Sequence, residues 1–135
     1  MNRQDGTVNR GVLSTAKTGR DFVIPSGQNA ATTQFLAIAS RDLKLANQVA
    51  GQMGIPRAYG SYEDLLADED VDVVYNPLPL SMHGHWTIKA AEAGKHVMCE
   101  KPIAVDATEA RAVVQRCQEL GITLMEAFQY RFAER

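Results

Sequence analysis

The chain has 135 residues, 45% of them hydrophobic, with 14 basic and 16 acidic side chains and a net charge of −2. That length suits one domain whose core needs neither metal nor disulfide. The balanced charge, with no basic stripe, argues against nucleic acid as a partner. No apolar run approaches the roughly 18 residues of a membrane span, and the polar opening MNRQDGTVNRG lacks the apolar stretch of a secretory leader. Cys99 and Cys117 form no C-x-x-C pair, so the expectation is a cytoplasmic protein with two reduced thiols.

Strand and helix patterns alternate along the chain, with no repeat, charge block or linker between them. Residues 8–14 predict a short strand, and residues 17–28 a helix weakened near its end by Pro25 and Gly27. Residues 34–40, QFLAIAS, read as a buried strand. Over residues 42–53, Leu43, Ala46, Val49, Ala50 and Met53 recur at helical spacing, and Gly54 can close that helix. Residues 58–60 predict a very short strand, followed by a short helix that Ser61 and Asp64 frame as a capping box. Residues 71–76 form an apolar strand that runs into Pro77 and Pro79. Residues 81–93 read as a helix capped by Ser81 and stopped by Gly94, and residues 96–99 as a strand. A helix over residues 106–120 ends at Gly121, and residues 122–127 make the last strand.

Strands that alternate with helices across short loops predict an α/β fold with a parallel sheet covered on both faces. About six strands in this order fit a doubly wound Rossmann sheet over residues 8–127. Residues 1–7 are expected to be a flexible lead, and residues 128–135 the start of a connection to a further domain. Ligands in such sheets bind beyond the carboxyl ends of the strands, where the strand order reverses. That rule directs attention to residues 14–19, 40–42, 76–83 and 100–102.

The first strand ends in S-T-A-K-T-G, which places Ser14, Ala16 and Gly19 where the dinucleotide fingerprint has glycines. The first position needs a tight turn, the second a close approach of pyrophosphate, and the third close packing of helix on strand. Ser14, Thr15, Ala16, Lys17 and Thr18 are therefore cofactor-binding candidates, at a helix N-terminus that offers N–H groups to phosphates. On this string alone, a small-residue turn without a ligand competes with that reading. At the end of the second strand stand Ser40 and Arg41, where an NAD site usually carries an acidic residue. A serine and the forked donors of an arginine suit a 2′-phosphate. Arg41 as a solvated loop residue is the alternative, and Asp42 either caps the next helix or reaches the ribose and favours NAD.

In N-P-L-P-L-S-M-H the prolines hold an extended path along which Asn76 can present its amide. His83 and His85 are two residues apart on a helix and point to different faces, so a shared metal is not expected. Glu100 and Lys101 lie at the carboxyl edge of a central strand, followed by Pro102. A lysine beside a bound carbonyl can orient substrate or pass a proton, and a surface ion pair is the competing reading.

Taken together, G-V-L-S-T-A-K-T-G, A-I-A-S-R, Y-N-P-L-P-L-S-M-H, A-G-K-H-V-M-C-E-K-P and M-E-A-F-Q-Y-R-F resemble the Gfo/Idh/MocA oxidoreductases, over residues 8–132. The S-T-A variant and the S-R pair are similar to the branch that holds glucose–fructose oxidoreductase, dimeric dihydrodiol dehydrogenase and sugar 1-dehydrogenases. The resemblance implies an N-terminal Rossmann domain, with a C-terminal open-sheet domain expected to lie outside this chain. It implies that Lys101 is the catalytic lysine beside nicotinamide and substrate, that Ser40 and Arg41 hold the NADP 2′-phosphate, and that Asn76, Leu78, His83 and Glu100 follow the cofactor. NADP is the expected cofactor, with NAD possible, and a sugar or diol the expected substrate of a full-length protein that forms a homo-oligomer. Four features depart from the family pattern: Thr18 at an apolar position, Asn9 and Arg10 in a buried strand, Gly27 inside the first helix, and Leu80 at a position often polar. Phe128, Tyr130 and Phe132 are expected to leave an apolar surface past the last strand that promotes self-association. Two rival functions are a dinucleotide-binding module without turnover and an S-adenosylmethionine methyltransferase. Arg41 argues against the second, which wants an acidic residue after the second strand.

Overall fold

A computed structural model describes residues 6–128; residues 1–5, and residues 129–135 with Tyr130 and Phe132, lie outside the described residues. Among the described residues, six strands form one sheet: β1 (Val8–Leu13), β2 (Thr33–Ala39), β3 (Arg57–Tyr59), β4 (Val73–Asn76), β5 (His96–Glu100) and β6 (Leu124–Ala127). All neighbours pair in parallel, in the order β3-β2-β1-β4-β5-β6. This is the doubly wound Rossmann arrangement that the alternation predicts, and its strand order reverses between β1 and β4.

The pleat sends successive residues to opposite faces. Val12 packs with Ile24, Phe35, Ile38, Val49 and Tyr75 on the face covered by the first helix and by α2 (Leu43–Met53). Leu13 packs with Ala37, Ala39, Leu65, Val74 and Trp86 on the other face, against α3 (Tyr62–Leu66) and α4 (His83–Glu92). Val113 and Cys117 join α5 (Ala107–Glu119) to Ala91 of α4. Leu13, Ile38, Leu65 and Val74 are fully enclosed, and each such side chain contributes about 1.5–3 kcal/mol. Coverage on both faces is the reason the central strands read as apolar runs.

The helix ends follow local chemistry. Asp42 accepts from the N–H groups of Lys44 (2.9 Å) and Leu45 (3.3 Å), so its carboxylate serves as the cap of α2. Gly54 closes that helix at φ 69°, a conformation that costs glycine little. Ser61 and Asp106 cap α3 and α5. Ser81 is not the expected cap: a 3₁₀ turn, Leu80–Met82, precedes α4, and no side chain caps either piece. The turn satisfies its own first amide, since the Met82 N–H bonds to Pro79 O at 2.8 Å. Two strands also start later than the apolar runs suggest. The Val71 N–H turns back to Asp68 O, and the Ile122 N–H closes α5 on Cys117 O, so β4 begins at Val73 and β6 at Leu124.

The first helix runs over residues 17–28 without a break at Gly27. Its stretch Gly19–Val23 is π-helical, with the Ile24 N–H on Gly19 O, and α1 (Ile24–Gln28) continues it. Pro25 has no N–H for the usual ladder and crowds the carbonyl one turn back, which the wider turn accommodates. Gly27 makes room for a neighbour: a Cβ there would lie 2.4 Å from Phe35 Cε2 and 2.9 Å from its Cζ. Phe35 is itself buried. Gly27→Ala is therefore expected to destabilise the fold by about 1–3 kcal/mol through overpacking, against the roughly 1 kcal/mol that helix propensity alone would add. Urea unfolding of the two proteins measures the sign.

Asn9 and Arg10 are also accommodated. The Asn9 amide donates to Asp70 O (2.9 Å) and accepts from Gln34 Nε2 (2.7 Å), while its backbone N–H reaches Asp72 Oδ2 at 2.8 Å. Arg10 is half-buried, with its guanidinium 5.8 Å from the centre of the Phe35 ring. A cation over an aromatic face gains back part of what burial costs it.

Candidate active site

Strand register sets the site. Leu13 is paired with Ala39, Val12 with Tyr75, Asn76 with Cys99, and Glu100 with Ala127. The segments that follow these residues therefore emerge along one edge of the sheet. They are residues 14–18, 40–42, 77–83 and 101–102, and they flank the switch between β1 and β4.

The turn after β1 is tight. Ser14 sits at φ 98°, its N–H bonded to Ala39 O (2.9 Å) and its Oγ accepting the Ala16 N–H (3.2 Å). A serine at positive φ is unusual outside a turn that the surroundings dictate, and it stands at the first glycine position of the fingerprint. Gly19, the third, packs on the sheet: a Cβ there would meet Tyr75 Cε1 at 3.5 Å, an ordinary contact. Lys17 and Thr18 are exposed in the first turn of the helix, and the Lys17 amine is paired with Asp21.

Beyond β2, Ser40 is buried, its N–H on Tyr59 O at 3.0 Å and its Oγ accepting the Asp42 N–H at 3.2 Å. Arg41 is exposed and makes no ion pair among the described residues. Asp42 is occupied by its helix. The donor set at this strand end, a serine hydroxyl beside a guanidinium with no anion of its own, fits a phosphate group better than a neutral diol.

Beyond β4, the structure differs from the sequence expectation. Asn76 is fully buried and its amide is engaged within the fold: Nδ2 donates to His83 O and Thr87 Oγ1, each at 3.2 Å, and Oδ1 accepts the Leu78 N–H at 3.2 Å. Its work is to fix the path of the proline loop. His83 is also enclosed, at 3% exposure, with Nε2 2.6 Å from Leu78 O and Nδ1 2.7 Å from Pro102 O. One ring thus ties the loop after β4 to the loop after β5.

Those loops wall a cleft of about 470 Å³ lined by Thr18, Pro77, Leu78, Leu80, His83, Glu100 and Lys101, among others. The Lys101 side chain is exposed, and its amine has no hydrogen-bond or ion-pair partner among the described residues. The Lys101–Pro102 peptide is cis. Glu100 holds its carboxylate between the Tyr75 hydroxyl, which donates to Oε1 at 2.6 Å, and the Lys101 N–H, which reaches Oε2 at 3.3 Å. Burial, and then the bond to Glu100, pushes the Tyr75 phenol above its ordinary pKa, so it keeps its proton and donates. Cys99, one residue before, is a buried thiol pushed up to about 11 by burial, which makes it a poor nucleophile at neutral pH. A second, larger hollow of about 580 Å³ lies on the sheet face between Arg10, Phe22, Met98 and Met125, and shares Glu100, Ala127 and Phe128 with the cleft.

Residues 8–128 match the family model of Gfo/Idh/MocA, an oxidoreductase family with an NAD-binding Rossmann fold. The chain belongs to this family. It is 52% identical over 122 residues to D-xylose 1-dehydrogenase (NADP(+)) 2 of Haloferax volcanii, a match covering 90% of this chain and 37% of that protein. It is 38% identical over 123 residues to the trans-1,2-dihydrobenzene-1,2-diol dehydrogenase of Xenopus tropicalis, again covering 90% and 37%. Among solved structures it is similar to KijD10, a 3-ketoreductase from Actinomadura kijaniata in complex with TDP-benzene and NADP in an open conformation. The TM-score is 0.90 at 33% identity, with 94% of this chain and 40% of that one covered. The chain thus spans little more than a third of the length of the curated relatives it matches. No helix among the described residues is long and apolar enough to cross a membrane.

Sequence reading of this Gfo/Idh/MocA domain missed two supporting groups. Tyr75 was visible as a lone phenol in an otherwise apolar strand, and a buried phenol needs a partner, but only the fold shows that Glu100 supplies it. Glu126 accepts the Ile103 N–H at 2.8 Å and so holds the segment after Pro102. Nothing in the M-E-A-F string signals that contact, which joins β6 to the loop after β5.

Proposed function

We propose that the chain is the NADP-binding part of an oxidoreductase that moves hydride between the nicotinamide and a sugar or diol carbon, with the substrate also contacted by a second domain. The observation that carries this reading is the Ser40–Arg41 pair at the end of β2, on the same sheet edge as the Lys101 amine, which has no partner among the described residues. The relatives named above act on a sugar and on a diol, which supports the substrate class.

When bound, the dinucleotide supplies the carbon that gives or takes hydride. The chain's own residues hold and orient. The turn over residues 14–18 and the start of the first helix receive the phosphates through backbone N–H groups. Arg41 and Ser40 hold the 2′-phosphate by charge-assisted hydrogen bonds. Pro77, Leu78 and Leu80 give the cleft an apolar wall that keeps water from the reacting face. Lys101 donates a hydrogen bond to the reacting oxygen, orients it, and moves the proton that an alcohol loses or a carbonyl gains.

Calorimetric titration with NADP and NAD tests the reading. The Arg41 contacts to a 2′-phosphate contribute about 1.5–3 kcal/mol, or roughly tenfold and more in affinity. NADP is expected to bind tighter by that factor, and Arg41→Ala to abolish the preference while NAD affinity holds. Equal affinities in the unsubstituted chain would contradict the assignment of Arg41.

A further inference from the structure

We propose that Glu100 biases the bound nicotinamide toward its oxidised form, and that Tyr75 holds the carboxylate where it exerts that bias. The inference rests on the dinucleotide reading above and assigns a distinct task to a residue beside the catalytic lysine.

Four observations carry it. Glu100 is the last residue of β5 and lines the cleft next to Lys101. Its carboxylate is bonded by two donors, and neither is charged: a phenol at 2.6 Å and a backbone N–H at 3.3 Å. No ion pair neutralises it among the described residues. The donor that fixes it is rigid, because Tyr75 is 1% exposed and packed under Gly19. A negative charge is thus clamped at the edge of a half-enclosed cleft, where solvent screens it less than at the surface.

The oxidised nicotinamide ring carries a positive charge that the reduced ring lacks. A fixed carboxylate on that side of the cleft therefore stabilises the oxidised cofactor relative to the reduced one. Lys101 carries the opposite charge in the same cleft, and because it is unchanged in every Glu100 and Tyr75 variant, the difference between variant and unsubstituted chain reads the Glu100 charge alone. The clamp by Tyr75 matters because a free glutamate would swing toward solvent and lose part of its influence. A bias of this kind makes hydride release from the reduced cofactor easier, since the product form is the one held more tightly.

The decisive quantity is the ratio of two dissociation constants, for NADPH and for NADP⁺, measured on the chain by nucleotide fluorescence and calorimetry. A purely structural role would weaken both forms alike and leave the ratio unchanged. Glu100→Gln keeps the shape and an oxygen for Tyr75 but removes the charge, and is expected to shift the ratio about tenfold toward NADPH. Tyr75→Phe should shift it in the same direction by about two- to fourfold, because the charge stays and only its clamp is lost. Glu100→Asp, which keeps the charge, should remain closer to the unsubstituted chain than Glu100→Gln. Thermal unfolding of each variant separates loss of fold from loss of charge. An unchanged ratio in Glu100→Gln, with the fold intact, overturns the proposal while leaving the dinucleotide reading standing. Failure of the unsubstituted chain to bind either form overturns both.

Discussion

Replacing Lys101 by alanine is expected to lower kcat about 10²–10⁴-fold, the usual contribution of a positioned proton donor, while NADP affinity stays within a few fold. The measurement belongs in a protein that pairs this domain with a substrate domain, by steady-state kinetics and cofactor titration side by side. The amine is exposed into the cleft and has no partner among the described residues, so removing it costs the fold nothing. In the proposed role, an interaction with the reacting oxygen strengthens as charge develops there, so the expected loss falls on the transition state and not on cofactor binding. Lys101→Arg keeps the charge on a planar, wider group and is expected to recover little of the activity. Wild-type turnover in Lys101→Ala would make the lysine a loop residue only.

The second large effect concerns the 135-residue chain by itself. It is expected to bind NADP and to show no turnover with any sugar or diol. The cleft over β4 and β5 has one wall built from the loops after those strands, and its outer side meets solvent among the described residues. Without a second wall the substrate is neither oriented nor kept from water, two effects that together account for several kcal/mol of barrier lowering. Absorbance at the reduced-nicotinamide band, followed with a broad panel of sugars and diols, checks this. Turnover that persists in a monomeric fraction and disappears in Lys101→Ala would show that one wall suffices.

Much of the architecture was legible because periodicity reports burial. The apolar runs at residues 34–40 and 71–76 are short, bounded by turn residues and rich in strand formers, which marks strands covered on both faces, and Gly54, Ser61 and Asp106 marked helix ends through local chemistry that needs no tertiary contact. Legibility failed where a residue's partner lies far along the chain. Gly27 looked like a flaw in a helix until Phe35 filled the space beside it. Ser81 had the right type for a cap, but the tight turn after Pro79 already satisfied the amides it would have served. Asn76 and His83 show the same limit within the site. Their side chains hold loops together through bonds to His83 O, Thr87, Leu78 and Pro102, contacts the local string does not announce, and His83 still borders the cleft. Arg41 and Lys101 are exposed at the carboxyl edge of the sheet, where the sequence order of strands and helices puts them, and their proposed roles rest on that edge.

The most direct test of the site is a map of amide chemical shifts as NADP is titrated into the isotope-labelled chain. Perturbations are expected at residues 14–18, at Ser40 and Arg41, and at Leu78, Glu100 and Lys101, with the amides of α5 unmoved. Shifts confined to Phe22, Met98 and Met125 in the adjoining hollow, or none at saturating NADP, would contradict a dinucleotide site at the carboxyl edge of the sheet.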